Sequence, residues 1–312
     1  MDLHIEIAGI PLPNPVLAAS GTFGYGVELE DIVNLKKLGA VVTKGLSPLP
    51  MAGNPSPRLF ETSAGMLNSV GLQNIGAAAF VRTRLPRLRQ IGARVIANVF
   101  GYTVEDYLEV VAVLNEGEGI AAYELNVSCP NTQRGGMVFG SDARLLAEVV
   151  ERVKRTARRP VIVKLTPNVT SIAEMAQAAE GAGADALTLV NTFLGMAIDA
   201  RTRRPRFANV VAGLSGPAIK PLALRMVWEA YQAVKIPLLG AGGITTAEDA
   251  VEFLLAGARA VQVGTANFWD PKATENLLSG LKRYGARHGV ARVSDLTGAL
   301  EMGGSEGPLA GA

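Results

Sequence analysis

The stretch LLGAGGITTAEDAVEFLLAGARAVQV, residues 238–263, contains one complete unit of an α/β fold. Two apolar runs at residues 238–241 and 260–263 flank an amphipathic segment near residues 246–256, which a glycine-rich turn opens. Near-continuous apolar strands that alternate with helices predict a parallel sheet covered by helices, because parallel strands need long crossover connections.

The same unit repeats along the chain from about residue 16. Strands are expected at residues 16–20, 40–43, 95–99, 122–127, 161–165, 186–190, 238–241 and 260–263. Helices are expected near residues 27–37, 76–90, 104–115, 142–156, 171–181, 216–233, 246–256 and 272–284. Eight such units close best as a (β/α)₈ TIM barrel, so the sequence predicts this α/β architecture.

The domain organisation follows from the absence of a break in this rhythm. No linker rich in Ser, Gly or Pro interrupts it, so residues 1–312 are expected to form a single domain. The irregular segments are interpreted as long loops at residues 44–74, 128–141 and 191–215, and each follows the carboxyl end of a predicted strand. Barrel enzymes build their active sites at that end. The glycine-rich residues 298–312 are expected to form a partly flexible tail.

Composition restricts the class of function. The chain has 30 basic and 28 acidic side chains and a formal net charge of +2, too balanced for a nucleic-acid binder. The first ten residues lack the pattern of a secretory signal, and the apolar stretches are interrupted well before bilayer length. We therefore expect a cytoplasmic protein with small-molecule or protein partners, and neither nucleic acid nor membrane among them.

The single cysteine, Cys129, lies in the segment ELNVSCPN at residues 124–131, where a predicted buried strand runs into a loop. A lone cysteine is most often a small buried hydrophobe. Here its polar, proline-marked surroundings favour a catalytic thiol at the barrel mouth. Gly135 and Gly136 suggest that this loop can close as a lid. One cysteine also excludes an internal disulfide, and an iron–sulfur cluster held by this chain alone.

Histidine chemistry has no support in the sequence. His4 and His288 lie outside the candidate segments, and no paired histidine and carboxylate spacing appears. A zinc hydrolase and a serine–histidine triad are therefore not indicated, and no metal is expected. The absence of a histidine near Cys129 favours a thiolate base over the nucleophile of a thiol protease.

Two glycine turns follow the last two predicted strands, at residues 240–244 (GAGGI) and 262–266 (QVGTA). Either turn alone would be an ordinary βα connection. Together they predict a phosphate site, because barrels bind phosphate with glycine backbone amides at this position. Lysines and asparagines at strand ends or in the long loops add polar groups to the same rim: Lys44, Lys164, Asn68, Asn98, Asn126 and Asn191.

At this point the sequence resembles the class 1 dihydroorotate dehydrogenases, and within them the 1B type, the catalytic subunit of the NAD-dependent enzyme. The matching motifs cover nearly the whole chain. They are AASGTFG (18–24), TKG (43–45), GMLNSVGLQN (65–74), NVSCPN (126–131), VKLTP (163–167), NT (191–192), GLSGPAIKP (213–221), AGGI (241–244) and VGTA (263–266).

The resemblance implies oxidation of (S)-dihydroorotate to orotate in de novo pyrimidine biosynthesis, with flavin mononucleotide (FMN) as cofactor and Cys129 as base. It implies that FMN is held by Ser20, Lys44, Gly45, Asn98, Asn126, Lys164, Val190, Gly216, Gly242, Gly243, Gly264 and Thr265. It implies that the substrate is held by Lys44, Asn68, Ser69, Val70, Gly71, Leu72, Asn126, Asn191 and Thr192. Ser69 and Ile75 depart from the alanine and proline of the family pattern.

The 1B resemblance further implies a partner subunit that carries FAD and a 2Fe-2S cluster and passes electrons to NAD. It also implies a homodimer of this chain within a heterotetramer. The 1A type, which works alone and reduces fumarate, is the alternative within the family, although residues 71–74 and 213–216 favour 1B. A flavin-free phosphate-binding isomerase or aldolase and a catalytically inert barrel also stay open.

Overall fold

The computed structural model describes residues 1–128, 130–131 and 137–302. The strands in this part of the chain are β1 (Ile5–Ile7), β2 (Ile10–Leu12), β3 (Val16–Ala18), β4 (Val41–Val42), β5 (Leu59–Thr62), β6 (Gly65–Asn68), β7 (Val95–Val99), β8 (Ile120–Asn126), β9 (Pro130–Asn131), β10 (Met137–Val138), β11 (Val161–Lys164), β12 (Ala186–Leu189), β13 (Phe193–Met196), β14 (Ile198–Asp199), β15 (Arg204–Pro205), β16 (Val211–Ser215), β17 (Leu238–Ala241) and β18 (Ala258–Val263). The α-helices are α1 (Ala77–Thr83), α2 (Leu85–Ile91), α3 (Val104–Asn115), α4 (Ala143–Thr156), α5 (Ile172–Gly181), α6 (Lys220–Ala233), α7 (Ala247–Leu255), α8 (Ala266–Trp269) and α9 (Ala273–His288).

Eight parallel strands close into a barrel in the order β3-β4-β7-β8-β11-β12-β17-β18, and β18 pairs with β3 to complete it. These are the eight strands that the sequence predicts, with ends that differ by at most two residues. The strands are almost entirely buried because side chains fill the barrel on one face and helices cover the other. The predicted TIM barrel is confirmed.

Helices α3, α4, α5 and α7 of the outer layer begin at capping side chains. Thr103 and Thr246 form capping boxes with Asp106 and Asp249 at the starts of α3 and α7, so backbone N–H groups at these ends find acceptors. Asp142 caps the start of α4. The buried side chains of this helix recur at the spacing of one helical face: Leu145, Leu146, Val149, Val150 and Val153. Full burial of such a side chain contributes about 1.5–3 kcal/mol.

The helix predicted near residues 27–37 is wrong. The chain forms two short 3₁₀ turns instead, at Val27–Leu29 and Leu35–Lys37. The backbone N–H of Asn34 donates to Glu275 Oε2 of α9, at a nitrogen–oxygen distance of 3.4 Å. The pattern of backbone hydrogen bonds within a helix is therefore interrupted at Asn34. Asp and Asn side chains in this stretch also have low helix propensity.

The loops at residues 44–74 and 191–215 are less irregular than the sequence predicts. They contribute a four-stranded antiparallel sheet in the order β13-β16-β6-β5, in which Leu214 pairs with Phe193 on one side and Leu67 on the other. Leu67, Phe207 and Ala212 form a small core of their own on this sheet. Strands from loops more than 100 residues apart pair here, and local sequence patterns carry no signal for such pairing.

The end of the described chain packs against the barrel. The N–H of Gly298 donates to Leu254 O at 2.9 Å, whereas residues 303–312 of the predicted flexible tail lie outside the described residues. Across the described ranges, the structure has no helix whose length and apolar character would allow it to cross a membrane.

Candidate active site

A cavity opens at the carboxyl ends of the barrel strands, and the small antiparallel sheet lies beside it. Its walls come from the segments that follow β3, β11, β12, β17 and β18, together with β6 and the turn after β16. The predicted site residues that line it are Ser20, Asn68, Val70, Lys164, Val190, Asn191, Thr192, Gly216, Gly242, Gly243, Gly264 and Thr265. Residues far apart in the chain are therefore brought to one site, as the parallel barrel predicts.

At one end of the cavity the backbone turns tightly at Gly242 and Gly243. Their φ values are +128° and +75°, which residues with a side chain rarely adopt. A Cβ atom at Gly243 would also lie 2.9 Å from Gly216 O, and one at Gly242 would lie 2.8 Å from the Cβ of Ala223. Only glycine fits at these positions, and the turn exposes backbone to the cavity instead of side chains.

Asp249 holds the segment that follows this turn. Its Oδ2 accepts hydrogen bonds from the N–H groups of Thr245 and Thr246, at 2.9 Å and 2.8 Å, and from the Thr245 hydroxyl at 2.8 Å. Its Oδ1 accepts from Lys220 Nζ at 2.7 Å, and Lys220 also pairs with Glu252 at 2.9 Å. One buried carboxylate thus joins the start of α7, the start of α6 and the Thr245–Thr246 segment that follows the glycine turn.

These contacts change the acidity of both partners. Burial raises the pKa of Asp249, but the Lys220 ammonium and the three Thr donors outweigh it and lower that pKa to about 2. Burial lowers the pKa of Lys220, but its hydrogen bonds to Asp249 and Glu252 outweigh this and raise it. The pair is therefore charged across the physiological range.

The neighbouring turn is tied to the small sheet. Thr265 Oγ1 lies 2.8 Å from Ser215 Oγ, and Ser215 Oγ donates to Met66 O at 3.3 Å. Ser215 lines the cavity at the end of β16. These bonds hold the Gly264–Thr265 turn, the Ser215–Gly216 turn and β6 at one wall.

Asparagines form a hydrogen-bonded chain on the opposite side. Asn191 Nδ2 donates to Asn126 Oδ1 at 3.0 Å and to Ser128 Oγ at 2.9 Å, while Asn191 Oδ1 accepts from Thr192 N at 2.8 Å. Asn168, which the sequence analysis did not select, donates to Thr192 O at 3.2 Å. The end of β8 is thereby fastened to the segment after β12.

Beneath the cavity lies a buried polar cluster centred on Glu124, which is fully buried. Its carboxylate accepts from Asn98 Nδ2 at 2.8 Å, from Thr188 Oγ1 at 2.8 Å and from Gln262 Nε2 at 2.5 Å. Lys164 Nζ lies 4.0 Å from Glu124 Oε1, and the Lys164 side chain is only 9% exposed. Because β8 and β18 lie on opposite sides of the barrel, the Glu124–Gln262 bond crosses its interior.

Asn98 and Gly45 are neighbours below the rim rather than parts of the cavity wall. A Cβ atom at Gly45 would lie 3.0 Å from Asn98 Oδ1 and 3.0 Å from the ring of Phe100. Glycine at position 45 therefore allows the close approach of the Asn98 amide. The side chain of Asn98 in turn contacts the Glu124 carboxylate.

Lys44 stands at the end of β4, half-buried and outside the cavity wall. Burial lowers the pKa of Lys44, and the nearby positive charge of Arg58 lowers it further, while Glu28 acts in the opposite direction. A cation held under these conditions gains from a bound anion, because an opposite charge restores the charged form.

The segment that follows β6 is held by contacts at Ser69 and Ile75, the two positions that are expected to depart from the family pattern. Asn54 Nδ2 donates to Ser69 Oγ at 3.0 Å and to Ser69 O at 3.1 Å. The N–H of Ile75 donates to the buried Tyr25 hydroxyl at 3.0 Å, a bond that proline could not make. Burial raises the pKa of Tyr25, while the bond from Ile75 acts in the opposite direction.

Of the remaining predicted residues, Asn126, Ser69, Gly71 and Leu72 lie near the cavity residues without lining the cavity. Cys129 and the proposed lid glycines Gly135 and Gly136 lie outside the described residues. Ser128, the last described residue before Cys129, hydrogen-bonds to Asn191 at the rim. Within the described ranges, no group of three or more His, Cys, Asp or Glu side chains could hold a metal ion.

No sequence pattern predicted a role for Glu124, Thr188, Ser215 or Asp249. Glu124 and Gln262 were present in the quoted motifs, and a charged residue within an otherwise apolar strand was a usable signal. Thr188 and Asp249 gave no such signal, because their importance comes from contacts across the barrel or with a neighbouring helix.

The chain is similar to proteins of one family. The sequence model described as dihydroorotate dehydrogenase matches residues 2–284. A putative dihydroorotate dehydrogenase A (fumarate) from Solibacter usitatus is 60% identical over 300 residues, which cover 96% of this chain and 99% of that protein. Dihydroorotate dehydrogenase B (NAD(+)) catalytic subunits from Geotalea uraniireducens and Geobacter sulfurreducens are each 56% identical over 96% of this chain, and over 98% and 99% of their own lengths.

We predict that Asp249→Asn lowers the free energy of unfolding by about 2 kcal/mol at neutral pH. The folded pKa of Asp249 is about 2 against an ordinary value of 3.8, so its contribution is complete above about pH 4 and is lost as the pH falls toward 2. Urea titrations at a series of pH values should therefore show the difference from wild type shrinking below pH 4.

Glu248→Gln is the matched control, because Glu248 lies in the same helical turn but is exposed. It should change stability by a few tenths of a kcal/mol at most. An Asp249→Asn deficit that stays constant down to the lowest measurable pH would contradict the assignment of charge to this contact.

Proposed function

Because the chain belongs to the dihydroorotate dehydrogenase family, an oxidoreductase family, we propose that it oxidises (S)-dihydroorotate to orotate with FMN bound in the rim cavity. The observation that supports this most is the joint occurrence of two features in one cavity. A side-chain-free glycine cradle forms one end, and a lysine with a chain of asparagines forms the other.

The chain's own residues fit FMN. The turns at Gly242–Gly243 and Gly264–Thr265 offer backbone to a phosphate, which such turns bind well. Within the described residues, two buried amide oxygens, Asn98 Oδ1 and Gln262 Oε1, have no hydrogen-bond partner. Buried acceptors of this kind favour a ligand with N–H groups, which FMN has on its ring.

The roles implied for the other residues are compatible with their positions. Lys164 faces the cavity and would stabilise negative charge on the bound ring. Ser20, Val190 and Gly216 would contact the cofactor from the walls, and Asn126 and Lys44 would do so from the rim. When bound, FMN supplies the acceptor for a hydride.

The substrate would lie between the small sheet and the asparagine chain. Asn68 and Val70 line the cavity from one side, and Asn191 and Thr192 line it from the other. Lys44 would bind the substrate carboxylate, while Ser69, Gly71 and Leu72 would shape the loop. Amide side chains that read a ring's polar edges reject analogues lacking those groups, because the buried amides would stay unpaired.

We propose Cys129 as the base. It follows Ser128 in the sequence, and Asn191 holds the Ser128 hydroxyl at the rim. A thiolate would take the proton from the carbon next to a ring carbonyl, while the neighbouring carbon loses a hydride to FMN. The electron pair of the C–H bond from which the base removes the proton forms the new carbon–carbon double bond.

We further propose that electrons leave through a partner subunit with FAD and a 2Fe-2S cluster, and that NAD is the final acceptor. The names of the Geotalea and Geobacter relatives specify NAD(+) and a catalytic subunit, which supports NAD as the acceptor and the existence of a partner subunit. The single cysteine means that a cysteine-held cluster would need another chain, and is compatible with a reducing, cytoplasmic location. We also propose a homodimer of this chain within a heterotetramer.

The alternative acceptor is fumarate, which the name of the Solibacter relative specifies. The two acceptors are separated by supplying the reduced, purified chain with fumarate or with NAD, in the presence and absence of an electron-transfer subunit co-expressed from the same genome. Reoxidation by NAD that requires the added subunit supports the proposal. Rapid reoxidation by fumarate without the subunit contradicts it.

We predict that Cys129→Ala slows flavin reduction by dihydroorotate about 10²- to 10⁴-fold, because the general base is lost. Anaerobic stopped-flow absorbance of the purified chain measures this directly. The oxidised flavin spectrum should be unchanged, which separates loss of the base from loss of the cofactor.

Cys129→Ser is the control for this experiment. Serine can act as a base but ionises far less readily than cysteine, so its rate should recover as the pH rises, whereas that of the alanine variant should not. A purified chain without flavin, or flavin that dihydroorotate leaves oxidised, would contradict the proposed function itself.

We predict that Lys44→Met weakens orotate binding about 10- to 100-fold, as expected for loss of a charge-assisted hydrogen bond. With Lys44 present, orotate affinity should fall as the pH rises through the lowered pKa of this lysine, because only its charged form attracts the carboxylate. Titration of the bound flavin's absorbance with orotate, in a Cys129→Ala background, excludes titration of the thiol.

Lys44→Arg is the matched variant, because its guanidinium stays charged at every pH used. Its orotate affinity should not show the fall at high pH. If the arginine and lysine chains lose affinity in parallel, the titrating group is not Lys44.

A further inference from the structure

Glu124 is surrounded by donors. Asn98, Thr188 and Gln262 all direct N–H or O–H groups at its carboxylate, and the Lys164 ammonium lies on the side of the cavity. A neutral carboxylic acid would need an acceptor for its own proton, whereas an ionised carboxylate only accepts. The arrangement is therefore that of a buried anion.

This anion determines which way the two neighbouring amides point. The NH₂ groups of Asn98 and Gln262 face Glu124, so their oxygens must face away from it. Those oxygens are the two buried acceptors without a partner in the described part of the chain, and Gln262 lines the cavity. The side chain of Glu124 thus decides whether Gln262 offers its amide oxygen or its NH₂ group to a ligand in the cavity.

Glu124 also lies next to Lys164, on the side of the ammonium that faces away from the cavity. Strand register places Ile162 level with Glu124, and Lys164 two residues nearer the rim on the same face of β11. Lys164 lines the cavity, whereas Glu124 is fully buried below it. A negative charge 4.0 Å from the ammonium offsets part of the positive potential that Lys164 directs at the cavity.

We propose that Glu124 is a positioning residue that sets the redox preference of the bound FMN without touching it. The carboxylate keeps the Gln262 amide oxygen turned toward the cavity and counterbalances Lys164, so the site favours the oxidised cofactor more than Lys164 alone would. This inference rests on the FMN site of the proposed function, but it requires neither dihydroorotate nor the base.

Glu124→Gln changes both effects in the same direction. The substitution removes a negative charge, which leaves the charge of Lys164 less compensated. The new amide must also donate toward neighbours that are themselves donors, and rotation of the Gln262 amide to accept from it would turn the Gln262 NH₂ group toward the cavity. More positive potential and an added donor both favour the more negatively charged, reduced cofactor.

The expected result is a more positive midpoint potential of the bound FMN. Affinity for oxidised FMN should fall about tenfold more than affinity for reduced FMN, which corresponds to a shift of about 30 mV for a two-electron couple. The measurements are an anaerobic redox titration of the full chain against a reference dye, and FMN dissociation constants in both oxidation states.

Thr188→Val is the matched control, because it removes a neutral hydrogen bond from the same carboxylate and keeps the charge. It should lower thermal stability without moving the potential. Glu124→Asp retains the charge and should stay closer to wild type than Glu124→Gln does. An unchanged or more negative potential in Glu124→Gln, or an equal shift in Thr188→Val, would overturn the inference.

A measurement on the wild-type chain covers the case in which Glu124→Gln does not retain FMN. Isotope-edited infrared spectra of the oxidised chain, taken as the difference between ¹³C-glutamate-labelled and unlabelled protein, should show no band of a protonated carboxylic acid from a buried glutamate. Such a band, if abolished in Glu124→Asp, would overturn the inference. A wild-type chain that binds no flavin refutes the proposed function. If dihydroorotate bleaches the flavin normally but the midpoint potential does not shift in Glu124→Gln, only the role of Glu124 is refuted.

Discussion

The pairing of β18 with β3 is the contact on which the rest of the structure depends. It converts a run of eight βα units into a closed ring, in which every strand has a neighbour on both sides. Because all eight strands are parallel, closure also brings their carboxyl ends to one rim. Lys164 and Thr265 are far apart in the sequence, and they line the same cavity because the barrel is closed.

The barrel was predictable from the sequence because its strands are buried on both faces and therefore read as short apolar runs. The small sheet at the rim was not, since its strands pair across distant loops and Leu67 and Leu214 meet only in three dimensions. The prediction of a helix at residues 27–37 was wrong for a related reason. A contact from α9 decides where that helical pattern is interrupted, and no window of local sequence contains it.

The candidate site was predictable where backbone geometry demands one residue type, as at Gly242 and Gly243, or where a polar residue ends an apolar strand, as at Lys164. The supporting contacts were harder to predict. Asp249 has the sequence position of an ordinary capping-box residue, and only the position of Lys220 on another helix shows that it also ties α6 to the segment after the glycine turn. Such residues act through others, so their importance depends on geometry that motifs do not record.

The bond from the Ile75 N–H to the Tyr25 hydroxyl couples two positions that lie fifty residues apart. In a chain with proline at position 75, the tyrosine hydroxyl would lose this donor. A change at position 75 therefore alters the environment of the residue at position 25. A chimaera that takes residues 65–75 from a chain with proline at position 75 would leave the Tyr25 hydroxyl without this donor, whereas one that also exchanges the residue at position 25 would remove the unmatched hydroxyl together with its donor.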